Sequence, residues 1–126
     1  MEIIRKINRE LAISGPIPDS QWPEVAAEGF QSVLNLRSLD DPQRLLEQQQ
    51  AEALGLHYAY FPITTEVMSP SLAAKALTQI DDLPKPTLIC CGNALLAAAM
   101  ALMSVAIHQG ETLQQAFGRA EKLELF

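Results

Sequence analysis

Two periodicities alternate along this chain. Short β-type runs at residues 11–13, 30–36, 57–63 and 88–91 are separated by stretches whose apolar residues recur at helical spacing. Residues 2–14 predict a short strand or hairpin, with Ile3 and Ile4, then Leu11, Ala12 and Ile13, ended by Ser14, Gly15 and Pro16. Asp19 or Ser20 is placed to cap a short helix through Trp22, Val25 and Ala26, which Gly29 stops. Residues 30–36 read as a buried strand, and Arg37 leaves its carboxyl end. Asp41 followed by Pro42 is a helix start, and Leu45, Leu46, Gln49 and Ala53 trace one face of that helix, with Gln48, Gln50 and Glu52 off it. Residues 57–63 form an aromatic-rich strand, in which His57 is a strand-edge or packing histidine rather than a catalytic base. Ser69 and Pro70 open a helix through Leu72, Ala73, Ala76, Leu77 and Ile80. Thr112 to Gln115 fits a capping box for a last helix that turns Leu113, Ala116, Phe117 and Ala120 inward.

The stretch at residues 86–100 carries the most chemistry. The run from Leu88 to Cys91 stops at Gly92 and Asn93, and an Ala/Leu/Met-rich helix then continues to Ile107. In a strand, tight loop and helix of this kind, loop amides and the positive helix end converge on one small space that suits an anion. A helix N-terminus also lowers a thiol pKa, so Cys91 is placed where it can be held as a thiolate.

This stretch resembles the phosphate loop of cysteine-dependent protein phosphatases, whose signature is His-Cys, five residues, Arg, then Ser or Thr. The wider chain resembles a bacterial tyrosine- and dual-specificity-phosphatase-like branch, also found fused to metallo-β-lactamase-like hydrolases, whose loop reads roughly His-Cys-x-x-Gly-x-Arg. The supporting pieces are residues 11–18 (Leu-Ala-Ile-Ser-Gly-Pro-Ile-Pro), 28–37 (Glu-Gly-Phe-Gln-Ser-Val-Leu-Asn-Leu-Arg) and 52–63, in order over nearly the whole chain. The resemblance implies an α/β fold: a three-layer domain over residues 1–126, with a central, mostly parallel sheet of four to five strands and helices on both faces. It implies Cys91 as nucleophile and Gly92, Asn93, Ala94, Leu95, Leu96 and Ala97 as the anion-binding loop. Relatives carry an acidic general acid in the loop that corresponds to residues 62–70, where Glu66 is the only carboxylate here.

The active motif departs from the family pattern. Cys90 stands at the histidine position, Ala94 at the glycine, and Leu96 or Ala97, depending on spacing, at the arginine; no Lys or Arg occurs from Pro86 to Gly118. Arg37 is the best remaining candidate for an anion contact, because ligands of parallel α/β sheets sit beyond the carboxyl ends of strands. The alternative is a surface ion pair with Asp40, Asp41 or Glu47.

Composition narrows the partners. With 126 residues, 48% hydrophobic and 19% charged, the chain suits one globular domain. A net charge of −6 without a run of bases argues against nucleic acid or an anionic membrane as partner. Residues 88–107 approach the length of a bilayer span, but Gly92, Asn93 and Ser104 interrupt them, and a buried central helix is expected instead. The first residues carry no signal-peptide pattern and the cysteines are adjacent, which together predict a cytoplasmic protein. His57 and His108 stand apart, so neither a metal nor another cofactor is expected. The sequence therefore predicts a phosphatase-like chain that is weakly active or inactive and binds a small anion, a phosphorylated ligand or a protein partner of unknown identity. Two alternatives remain: an active phosphate-monoester hydrolase that borrows an arginine from elsewhere, and rhodanese-like sulfur transfer or redox work at the cysteine loop.

Overall fold

A computed structural model of the chain describes residues 4–37, 42–64, 66, 68–92 and 94–125, without the side chains of residues 42, 43 and 94. Among the described residues there are five strands and five α-helices. They run β1 (Ile4–Lys6), β2 (Leu11–Ser14), α1 (Trp22–Ala27), β3 (Ser32–Asn35), α2 (Pro42–Ala53), β4 (His57–Tyr60), α3 (Pro70–Asp82), β5 (Thr87–Cys90), α4 (Ala94–His108) and α5 (Leu113–Lys122).

The strands form one sheet in the order β1-β2-β5-β3-β4, parallel except for the β1–β2 hairpin. Each crossover between parallel strands carries a helix, as parallel pairing requires. Side chains alternate across the sheet, so two cores result. On one side Val33, Leu88 and Cys90 pack with Trp22 and Val25 of α1 and Ala51 of α2. On the other, Leu34, Ile89 and Cys91 pack with α3, α4 and α5 through Ile80, Met100 and Phe117. This is the expected three-layer α/β architecture.

Local signals explain most boundaries. The Ser69 hydroxyl accepts from the Leu72 amide at 3.1 Å and Pro70 fills the first helical position, so α3 begins there. Thr112 and Gln115 form the reciprocal capping box of α5, at 3.0 and 3.1 Å. Gly29 and Gly55, at φ of +95° and +87°, end the turns after α1 and α2.

Three expectations need correction. Asp19 and Ser20 do not cap α1; they belong to a 3-10 turn (Asp19–Gln21) that feeds directly into the helix, and no side chain caps it. The face of α2 is also different: Leu45 and Leu46 are 54% and 51% exposed, while Glu47 and Ala51 are turned inward. The sheet end beneath α2 carries Asn35 and is followed by Arg37, so Glu47 is drawn inward to the arginine and Ala51 meets the apolar layer beside it. Finally, α4 is central but not buried all round, because Leu95 and Leu102 are about half exposed. Among the described residues no helix is long and apolar enough to cross a membrane. The expected N-cap of α2, Asp41, lies outside the described residues.

Candidate functional site

The carboxyl ends of the parallel strands set the site. Ser14 of β2, Cys90 of β5 and Asn35 of β3 occupy one row of the sheet, with Ser14 paired to Cys90 and Cys90 to Asn35. Beyond that row the backbone remains tied: the Leu36 amide donates to the Cys90 carbonyl at 2.8 Å, and the Cys91 amide to the Ser14 carbonyl at 3.2 Å. The chain thus leaves β5 and β3 side by side, the first into the candidate loop and the second into Arg37.

Residues in register on parallel strands point the same way, so Ser14, Cys90 and Asn35 all face the α2 layer, whereas Cys91 faces the α3–α5 layer. The two adjacent cysteines therefore lie on opposite faces of the sheet, and neither is in a disulfide. The Ser14 hydroxyl donates to the Gly15 carbonyl at 2.8 Å, which leaves its lone pairs for the Cys90 thiol, 3.4 Å away. Burial pushes the Cys90 thiol up to about 12, against the opposing pull of the Ser14 hydrogen bond. At neutral pH Cys90 is therefore held as a protonated thiol.

Cys91 is 3% exposed and packs in the cluster that holds Leu34, Leu36, Ile89 and Leu96. Gly92 is exposed, Asn93 lies outside the described residues, Ala94 opens α4, and Leu95 projects outward. Leu96 and Ala97, the two positions where the motif would carry arginine, are 1% and 0% exposed within the apolar core. Both are set by α4, whose first turn follows the loop and presses this face onto the sheet. Glu66 is exposed, and its neighbours Thr65 and Val67 lie outside the described residues.

Arg37 is a partly buried member of a polar cluster. Its side chain is 23% exposed and is bonded to the carboxylate of Glu47, which is buried beneath α2. Asn35, fully buried, anchors the same arginine: its Oδ1 accepts from the Arg37 amide at 3.0 Å and from Arg37 Nε at 3.2 Å. The Asn35 Nδ2 donates to the Tyr58 hydroxyl at 2.8 Å. Burial, with the Glu47 carboxylate adding to it, pushes the Tyr58 hydroxyl up to about 12. At the cluster's rim the Arg44 guanidinium stacks over the Tyr60 ring, 4.2 Å from its centroid. Of the three acids that the sequence offers Arg37, the described partner is Glu47; Asp40 and Asp41 lie outside the described residues. The sequence does not single out Asn35 and Tyr58 as members of this cluster, nor Ser14 as the partner of Cys90. The available signal is an asparagine between two buried leucines, Leu34 and Leu36.

Concavities lie elsewhere among the described residues. One of about 220 Å³ sits between α4, α5 and the chain after them, and another of about 460 Å³ lies at the amino-terminal ends of β2 and β5, lined by Lys6, Arg9, Phe30 and Pro86. Among the described residues no group of His, Cys, Asp and Glu could hold a metal ion.

The sheet order, the single antiparallel edge and the cysteine at the end of the central strand give the fold of the cysteine-dependent, tyrosine-phosphatase-like phosphatases. A putative phosphatase from Neisseria meningitidis superposes with a TM-score of 0.74 at 18% identity, over 96% of this chain and 87% of that one. Tk-PTP in its active form gives 0.73 at 20% identity, over 95% and 83%. P. aeruginosa TpbA in complex with phosphotyrosine gives 0.69 at 15% identity, over 91% and 69%. No protein-family model matches the chain, and no curated protein matches it in sequence.

Proposed function

We propose that this chain keeps the phosphatase fold as a binding scaffold: an inactive or weakly active phosphatase-like protein whose loop at residues 91–97 takes a small oxyanion or a phosphorylated ligand. One observation carries this reading. At the position of the phosphate-binding arginine the chain has Leu96 and Ala97, and both are packed into the apolar core.

Phosphoryl transfer depends on stabilising charge on the transferred oxygens, and an arginine in that role contributes about 10³ to 10⁵ in rate. The backbone amides at a helix start can still attract an anion, but they leave most of that stabilisation unsupplied. The exposed Glu66 adds no compensating cation. Binding therefore survives where turnover does not.

The test is hydrolysis of p-nitrophenyl phosphate by wild type and Cys91→Ser. Both are expected near the uncatalysed background. Robust turnover by wild type that is abolished in Cys91→Ser would overturn the proposal and make the chain an active phosphate-monoester hydrolase.

A further inference from the structure

At the amino-terminal end of the sheet, α1 stops after six residues, and past its end β2 is flanked by Glu28 and Phe30 instead of a further helical turn. A concavity of about 460 Å³ opens there, with Leu11, Ala12, Phe30 and Pro86 as apolar lining and Lys6 and Arg9 beside them. Lys6 stands opposite Ala12 in the β1–β2 hairpin, and Ala12 faces the α1 layer, so the lysine is set on that same face. Arg9 follows in the hairpin turn, which the Asn8 side chain fixes by accepting from the Glu10 and Leu11 amides, each at 2.8 Å. The opposite wall is tied as well: the Pro86 carbonyl accepts from the Gln31 amide at 2.9 Å, and the Thr87 amide donates to the Glu10 carbonyl at 2.8 Å. Lys6 and Arg9 are exposed, and among the described residues neither side chain is engaged in an ion pair.

We propose that this concavity is a binding site for a small organic monoanion, a molecule with an apolar body of one or two rings and a single carboxylate. Its volume and its mostly apolar lining with a few polar groups are those of a small-molecule site. Phe30 and Pro86 each offer a ring to a flat apolar body, and the Arg9 guanidinium offers a fork of donors that a carboxylate can accept. The charges select the anion. Two bases against Glu28 leave one net positive charge, which one carboxylate cancels, whereas a dianion would carry excess charge towards Glu28. The rest of the chain disfavours anions, since its net charge is −6 even with these bases included. The site stands independently of residues 91–97: Leu11 pairs with Thr87 at this end of the two strands, and Ser14 with Cys90 at the other.

The experiment is a titration of the full chain with naphthoate, with its neutral amide naphthamide and with acetate, followed by backbone amide NMR in wild type and Lys6→Gln/Arg9→Gln. Naphthoate is expected to shift the amides of Asn8, Leu11, Ala12 and Phe30 in wild type. Binding should weaken about tenfold in the double variant, and about tenfold for naphthamide on wild type, as two exposed ion pairs of ordinary strength imply. Acetate, which has the charge without the ring, should leave these amides in place at the same concentrations. Naphthamide binding as tightly as naphthoate, or a double variant within twofold of wild type, overturns the proposal by removing anion recognition. Equal shifts from acetate overturn it by reducing the site to surface charge. Shifts confined to residues 102–125 move the ligand to the concavity between α4 and α5, and no shift at millimolar naphthoate removes the site; either result overturns the proposal. So does a dependence of the same amides on protein concentration alone, which gives the face to a second copy of the chain. Both substituted positions are exposed, and Arg9→Gln alone carries the comparison, at about threefold, should the double variant lose its amide dispersion.

Discussion

Asn35 shows how much one buried side chain can organise. It sits at the end of β3 with no solvent contact, and it is bonded to the Arg37 amide, to Arg37 Nε and to the Tyr58 hydroxyl. An asparagine can satisfy both of its ends only if the chain around it supplies donors on one side and an acceptor on the other. Here β3, the turn after it and β4 do so together. Asn35→Leu keeps the volume roughly constant and removes all three bonds, leaving a partly buried guanidinium and a tyrosine hydroxyl short of partners. The expected loss is about 1–3 kcal/mol of unfolding free energy by urea titration, the range for orphaned buried polar groups. A loss within about 0.5 kcal/mol would show that water replaces the asparagine freely, as at an ordinary surface position. The sequence made this residue visible as a polar break between Leu34 and Leu36, but not its role, because nothing local identifies partners that lie two and twenty-three residues away.

At the scale of elements, legibility followed the origin of each signal. Helix starts that depend on neighbouring residues, Ser69 with Pro70 and Thr112 with Gln115, were readable because cap and helix are local chemistry. The inward face of α2 was not. Its pattern puts Leu45 and Leu46 towards a core, and burial of leucine is usually the stronger drive. The helix instead lies over the carboxyl ends of the strands, where Glu47 meets Arg37 and Ala51 meets the apolar layer of β3 and β5. Tertiary polarity overrode the local pattern. This orientation predicts an inverted mutational response: Leu46→Gln should change stability by no more than about 0.5 kcal/mol, whereas Ala51→Leu should cost about 1–3 kcal/mol by overpacking a filled interface. Thermal denaturation of the two variants decides the matter, and a large loss from Leu46→Gln with a tolerated Ala51→Leu would restore the face read from the pattern.

Across the whole molecule, the order of strands and helices fixed the architecture, and only the assembled sheet showed which groups share its carboxyl end. Adjacent cysteines read alike in sequence, yet alternation sends Cys91 to the α3–α5 core and Cys90 to the α2 layer beside Ser14. That placement links the fold to pH. The Cys90 thiol rises from an ordinary 9.0 to about 12 through burial, so between those values the folded protein keeps a proton that the unfolded chain has released. The folded state then binds more protons than the unfolded one, and stability falls as pH rises. Below the unfolded value the contribution of this thiol is intact; above it the loss approaches about 1.4 kcal/mol per pH unit for each such group. Tyr58 shifts in the same direction, from 10.0 to about 12, but it is only partly buried and begins to act at higher pH. Urea midpoints should therefore hold level through neutral pH and decline once the solution passes about pH 9, the unfolded thiol's value. Cys90→Ala should show a shallower decline between that point and the onset of Tyr58 near pH 10. Parallel curves for the two proteins would mean that water reaches the Cys90 sulfur and that its thiolate is tolerated in the fold, which would reopen a chemical role for the residue in the histidine's place.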